Sequence, residues 1–291
     1  MRQLFSVCPT LLWPVHRFRR LPRLGQPLSM VAACGIFVAL TPLATQAQTC
    51  VCPPPGMVAW WPGDGNANDI VAGQPTTLVN GATFGPGLVG QAFKLDGVDD
   101  GISILKSPAL NLGTSDFTID AWVKVAAIVG GSGPIFFNYA GVPSYGLQVD
   151  QTGRAQIFFR PGVAIIGGGP QANPSVTATG TTVLTDGQWH HVAGVRIRAT
   201  ALIFVDGLLE GSATNPTVLN VNFGGVDTSG CKYARIGSLH TAPNHCTSLN
   251  PNPAEARFQG LIDEVEIFNR ALCATEIQAI FNAGKAGKCK H

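Results

Sequence analysis

The chain has 291 residues, 45% of them hydrophobic and only 12% charged, with 19 Lys plus Arg against 17 Asp plus Glu and a formal net charge of +2. Beyond the N-terminal arginines treated below no basic stripe is present, which argues against a nucleic-acid partner. The 35 Gly and 21 Pro favour short, turn-punctuated elements over long helices.

In chain order, the first segment reads as an address. Residues 1–27 hold Arg2, Arg17, Arg19, Arg20 and Arg23 and no acid, then Leu28–Ala44 is apolar, and Ala47 is a small residue at a cut position. A basic leader, a Pro-interrupted apolar stretch and a small-residue site describe a secretory signal over residues 1–47, with an uncleaved anchor as the alternative. Losing those five arginines takes the basic count from 19 to 14 against 17 acids, a net charge of −3. No later apolar run is long enough to cross a bilayer. The expected mature chain has no membrane span and is secreted, periplasmic or on the cell surface.

Residues 48–56 form a Cys/Pro-rich lead-in whose "VCPPPG" is stiff and extended. The stretch "WWPGDGNANDIVAG", Trp60–Gly73, then places two Asp and two Asn among three Gly behind a Trp pair. Asx residues cap turns through their own backbone, and carboxylates with bent Gly-rich backbone also suit calcium. Further on the apolar period is two. "FTIDAWVKV" sets Phe117, Ile119, Ala121, Val123 and Val125 on one face, and "YGLQV", "AQIFF", "WHHVAGVRI" and "ALIFV" read as further strands. "VDGLL" places Asp206-Gly207 between apolar runs, a hairpin signal. "CATEIQAIFNAG" has Ile277, Ile280 and Phe281 at helical spacing, an acid in its first turn and Gly284 as a stop. The class is all-β, a sandwich with one short C-terminal helix. One domain is expected over residues 57–284, followed by a tail, 285–291, that carries Cys289.

Six cysteines remain beyond residue 47: Cys50, Cys52, Cys231, Cys246, Cys273 and Cys289. An even count in an exported chain points to disulfides, with fifteen connectivities open. A zinc site is the alternative, but "CVC" lacks the usual C-x₂-C spacing. Cys231 and Cys246 flank one short strand and its following loop, the place for a local bridge.

The ordered motifs "MVAWWPGDGNAND", "FTIDAWVKV", "TDGQWHHVAGV", "LIFVDG" and "FQGLIDEVEIFNRAL" resemble a laminin-G-like domain of the concanavalin A-like jelly-roll superfamily, common in secreted bacterial proteins. The resemblance spans essentially the whole chain beyond residue 47. It implies two stacked antiparallel sheets with adjacent terminal strands. That adjacency would let Cys50 and Cys52 staple to Cys273 and Cys289. Related sandwiches often hold one structural calcium beside the terminal strands, and here the resemblance implies Asp64 and Asp263 as first ligands, Asp69 and Asp96 as second, and the Gly97 carbonyl as a contributor. It also implies a core position for Trp189. Cys273 stands where the family commonly has a helix-capping Ser, and residues 215–257, with His240 and His245, are longer and looser than usual.

For function the resemblance is broad, since the superfamily hosts lectins, adhesion modules and glycan-cleaving enzymes. Retaining glycosidases of this fold resemble one another in an E-x-D-x-x-E or E-x-D-x-E strand, whose carboxylates act about 5 Å apart. This chain has five Glu, and "DEVE" brings only Glu264 and Glu266 onto one face. No catalytic residue is assigned. His190 and His191 point to opposite strand faces and cannot share an ion. For sugar stacking the aromatic candidates are Trp61, Tyr145 and Tyr233. The expected function is a secreted, non-catalytic domain recognising carbohydrate; a structural or adhesion module binding a protein partner in the envelope or extracellular space is the alternative, and a polysaccharide-degrading enzyme a third.

Overall fold

The computed structural model describes residues 50–139, 144–160, 175–216, 232–239, 248 and 256–290. The first strands are β1 (Met57–Trp61), β2 (Thr76–Val79), β3 (Thr83–Pro86), β4 (Gln91–Asp96) and β5 (Gly101–Leu105). The middle strands are β6 (Phe117–Val129), β7 (Ser132–Tyr139), β8 (Ser144–Asp150), β9 (Arg154–Arg160) and β10 (Val176–Val183). The last are β11 (His190–Ile197), β12 (Thr200–Val205), β13 (Leu208–Thr214), β14 (Tyr233–Ile236) and β15 (Arg257–Phe268), before the helix α1 (Ala274–Ala283).

They make two antiparallel sheets. The first runs β13-β12-β11-β6-β15-β4-β3, with β1 also on β15; the second runs β10-β9-β8-β7-β14-β5-β2. The implied jelly-roll sandwich is what forms. Its terminal strands are neighbours, Met57 facing Phe268 and Trp61 facing Val265.

The period-two residues explain the layers. Phe117, Ile119, Ala121, Val123 and Val125 of β6 are buried between the sheets with Tyr145, Leu147 and Val149 of β8 and Ile157 and Phe159 of β9. Phe117 tilts on Tyr145 at 5.1 Å between ring centroids. Burial of these side chains contributes about 1.5–3 kcal/mol each. The other face of the first sheet has its own apolar cluster, Ala193, Val195, Phe204 and Phe268, which Ile277 and Ile280 of α1 cover. The Glu276 carboxylate accepts from the Cys273 N–H at 2.9 Å at the helix start, and Gly284 ends the helix at φ 48°.

The β12–β13 hairpin turns on Asp206 and Gly207, both left-handed at φ 50° and 78°. Positive φ at both central residues is the geometry that Asp-Gly favours. Cys50 and Cys289 are disulfide-bonded, and Val51 lies beside Lys288 in parallel register. Cys52, grouped above with the bridging cysteines, is an exposed free thiol. Its neighbour Cys50 already holds Cys289, and Cys273, at the helix start, is in a disulfide of its own. Cys231 and Cys246, like His240, His245 and residues 1–47, fall outside the described residues. Among the described residues no helix is long and apolar enough to cross a membrane.

Substituting Gly207→Ala forces a Cβ into a left-handed position and is expected to cost about 1–2 kcal/mol. Urea unfolding monitored by far-UV dichroism measures it, and an unchanged midpoint would contradict the turn geometry.

Candidate functional site

Two features lie along the outer face of β15, one at each half. The first is a buried cluster of charge. β15 carries Asp263, Glu264 and Glu266, and β6 carries Asp120 directly opposite Glu266. All four are buried, none more than 1% exposed. Strand alternation alone would not put Asp263 and Glu264 on the same side. A bulge does so: the register with β6 shifts between Asp263 and Glu266, and Glu264 sits at φ 54°. A left-handed glutamate is strained, and such strain persists only where surrounding contacts fix it.

Those contacts are specific. The Trp60 indole N–H donates to Glu264 Oε2 at 2.7 Å. Lys290 Nζ lies 2.6 Å from Glu264 Oε1 and 2.5 Å from Asp64 Oδ2. Lys288 Nζ lies 2.8 Å from Glu266 Oε1. His191 Nε2 is 3.0 Å from Asp120 Oδ2, and its ring tilts on Trp122. Asp64, Asp120, Asp263, Glu264 and Glu266 thus crowd around Lys288, Lys290 and His191. Burial pushes the Asp263 carboxyl up to about 8, although the Val89 N–H donates to it. Burial also raises Glu264, with Lys290 opposing. For Lys288, burial works against the charge, but Glu266 and Asp120 outweigh it and hold the ammonium above the usual lysine range.

The residues expected to hold calcium fall into three groups: Asp64 with Asp263, Asp69 by itself, and Asp96 with Gly97. Asp64 Oδ1 accepts the Gln91 N–H at 2.8 Å, and Asp263 Oδ2 accepts that of Val89 at 2.9 Å, so the two grip one turn between β3 and β4. Gly87 of that turn has no room for a side chain, since a Cβ would sit 2.6 Å from Asp263 Oδ2. The positive charge beside Asp64 is the Lys290 ammonium. Asp69 Oδ1 accepts from the N–H groups of Trp60, Val71 and Ala72 at 3.0–3.2 Å, and its Oδ2 from the Gln74 side chain at 3.1 Å. It is the turn cap that residue type alone allowed. Asp96 belongs elsewhere, with Asp99 and Asp100 at the β4–β5 turn, where carboxylate oxygens of the three lie within 4.8 Å. Gly97, in the same turn, is left-handed at φ 78°.

The aromatic candidates are also redistributed. Trp61 is wholly buried and stacks on Phe136 at 5.9 Å, because it is the inward member of the pair. Tyr145 is buried too, its hydroxyl donating to the Leu110 carbonyl at 2.8 Å. Tyr233, on β14, is half-buried. Trp60 faces outward but is covered by the tail lysines, 5.9 and 5.7 Å from its ring. Trp189, expected in the core, is half-buried at the entry to β11. His190 does separate from His191: it bridges Asp206 at 2.8 Å and Asp186 at 3.1 Å.

Sequence reasoning missed Asp120, Lys288 and Lys290. One signal was available, since "TIDAW" and "DEVE" place acids at outward strand positions and "KCK" puts two lysines on one side of an extended segment. Their meeting depends on chain ends that only the fold brings together.

The second feature is a groove of about 510 Å³ over the other half of β15. Phe84, Pro86, Leu95 and Leu261 give it apolar walls, and Lys94, Asp96 and Gln259 are its polar groups. Lys94 and Asp96 are exposed and Gln259 half-buried.

Sandwich, adjacent terminal strands and helix-covered sheet define a concanavalin A-like jelly roll. A laminin-G family model described as "Concanavalin A-like lectin/glucanases superfamily" matches residues 96–278, and the chain belongs to that family. No curated protein matches it by sequence. Solved structures share the fold at low identity. The binding domain of Paraclostridial Mosquitocidal Protein 1 is 13% identical with TM-score 0.58, over 78% of this chain and 52% of that one. Domain 4 of AbnA, an extracellular GH43 arabinanase from Geobacillus stearothermophilus solved with arabinotriose, is 18% identical with TM-score 0.54, over 76% and 96%. The botulinum neurotoxin serotype G binding domain is 14% identical with TM-score 0.50, over 77% and 50%. The chain thus spans about half of the toxin binding domains and nearly all of the arabinanase domain.

Two measurements test the charge cluster. Lys288→Met leaves Glu266 buried without its cation and is expected to cost about 3–5 kcal/mol, whereas adding Glu266→Leu recovers most of the loss; a double-mutant cycle by urea unfolding reads this. Asp263 is raised above its unfolded value, so the folded state binds more protons between about pH 4 and 8 and stability falls as pH rises through that window. Asp263→Asn should therefore flatten the decline of Tm between pH 5 and 9. A mutant with the wild-type slope would show that Asp263 does not carry it.

Proposed function

We propose that the chain is an exported, non-catalytic binding module that recognises carbohydrate through the groove over β3, β4 and β15. The observation that carries this reading is the groove's composition: apolar walls from Phe84, Pro86 and Leu261 beside Lys94, Asp96 and Gln259. Sugar rings present a C–H face and a rim of hydroxyls, which match apolar walls with a few convergent donors and acceptors. The disulfide between Cys50 and Cys289 supports export, since such bonds persist in oxidising compartments. The Glu264 and Glu266 pair supports a non-catalytic role: Lys290 and Lys288 are in contact with their carboxylates and Trp60 also bonds Glu264. A retaining glycosidase needs two carboxylates facing its substrate. Calcium belongs to this proposal only at the β4–β5 turn, where Asp96, Asp99 and Asp100 gather. A calcium-dependent rise in Tm that disappears in Asp99→Asn supports that part, and an unchanged Tm removes it.

A glycan array, with Lys94→Ala and Gln259→Ala as probes of the groove, tests the main reading. The expected outcome is specific retention of a neutral oligosaccharide class, reduced at least tenfold by either substitution with Tm unchanged. Retention indifferent to both substitutions would move the site off the groove. Silence on the array, with capture of a defined envelope protein, would favour the adhesion alternative.

A further inference from the structure

The recess over the second half of β15 contains more than an internal ion-pair network. Its floor is Glu264, Glu266 and Asp120, and its wall is Trp60. Its two ammonium groups belong to neither strand; they come from the last described residues, where Cys289 separates Lys288 from Lys290. In extended backbone, residues two apart point the same way. Both ammoniums therefore turn to the sheet while Cys289 turns to Cys50. Nζ atoms lie 2.8 Å from Glu266, 2.6 Å from Glu264 and 2.5 Å from Asp64. The Trp60 ring is 5.9 and 5.7 Å from the same two nitrogens, within cation–π range.

Two further observations specify the ligand chemistry. Asp120 Oδ1 and Glu266 Oε2, on register-paired residues, are buried with no hydrogen-bond partner, as is Asp263 Oδ1. Buried carboxylate oxygens without donors are costly, so the recess is built for cationic donors. The acids are also spread out. Among the described residues only Asp96, Asp99 and Asp100 bring three ligand oxygens within 4.8 Å, so the recess fits two spaced point charges and not one coordinated ion. Apart from its ammonium contacts, the main chain of the resident segment is held by few bonds. Val51 N donates to the Gly287 carbonyl and Cys289 N to the Val51 carbonyl, each at 2.9 Å, and the disulfide adds the covalent tie. Gly287, left-handed at φ 61°, leads into it.

We propose that this recess is a recognition site for paired lysine ammonium groups, occupied in the closed chain by its own Lys288 and Lys290, and opened to a basic peptide with the same Lys-x-Lys spacing when the Cys50–Cys289 bridge is exchanged. In the exchange a thiolate of an external dithiol attacks one sulfur of the bridge and expels the other cysteine as a thiolate. The second thiol of the reagent then displaces the first cysteine, leaving two cysteine thiols and a cyclic disulfide. The site does not rest on the carbohydrate reading, which concerns the groove at the other half of β15.

The test keeps the full chain but removes the bridge and the competing lysines, as Cys50→Ser, Cys289→Ser, Lys288→Gln and Lys290→Gln together. Intrinsic Trp fluorescence follows titration with the peptide Gly-Lys-Ser-Lys-His and with Gly-Gln-Ser-Gln-His. The lysine peptide is expected to bind at least tenfold more tightly than the glutamine peptide, with the difference lost on adding Glu266→Gln. Equal binding of the two, or none, in a variant that melts cooperatively overturns the proposal. Should the variant not fold, the wild type decides. Amine acylation mapped by mass spectrometry, before and after brief dithiol treatment, is expected to show Lys288 labelling rise at least tenfold relative to Lys94. Lys288 labelling that stays unchanged on reduction overturns it.

Discussion

The twelve-residue strand β15 sets the conditions for everything around it, because it is bonded to different partners along its length. On one side it pairs with β6 from Arg257 to Phe268; on the other it pairs first with β4, through Ile262, and then with β1, from Val265. The change of partner falls at Asp263 and Glu264, where the bulge lies. A bulge adds twist and re-aims side chains. Here it keeps Ile262, Val265 and Ile267 in the inter-sheet core while turning three acids to the outer face. One backbone irregularity thus reconciles an apolar core with a charged exterior layer.

The charged layer in turn explains why the chain ends are tied. Four buried carboxylates would destabilise the first sheet if left alone, because desolvating a charge costs several kcal/mol. Lys288 and Lys290 offset that cost only while they are held in place. The lead-in strand does so through main-chain bonds at Val51 and the bridge at Cys50. Covalent closure between residues 239 apart also restricts the unfolded chain, an effect that grows slowly with loop length. The disulfide, the two lysines and the acids of β15 therefore form one interdependent unit.

How much of this was legible in the sequence follows from the range of each signal. Period-two alternation in "FTIDAWVKV", the Asp206-Gly207 turn and the stripe of α1 are local, and each formed where its pattern indicated. The charge cluster is not local. Asp64, Asp120, Glu264 and Lys290 meet only after β1, β6, β15 and the tail have assembled, and no spacing within any of these segments encodes the meeting. Trp61 was misplaced as a ligand candidate for a related reason. Alternation establishes that Trp60 and Trp61 point opposite ways, but which way is inward depends on the sheet they join. Asp69 read equally as turn cap or metal ligand, since the same oxygens serve both, and the cap is visible only once the N–H groups of Trp60, Val71 and Ala72 surround it.

Both features of the outer face share the backbone of β15, so they are mechanically continuous. Gly260 sits at φ 140°, where a Cβ would lie 2.2 Å from the Lys124 carbonyl oxygen. The strand is therefore pressed close on β6 at the groove and bulged away from regular pairing at the acids. Leu261 lines the groove, and two residues later Asp263 bonds the β3–β4 turn, whose preceding residue Pro86 lines the groove as well. The Asp263 carboxylate thus holds the turn that follows one groove wall. The groove wall and the acids beneath the tail therefore meet at one turn.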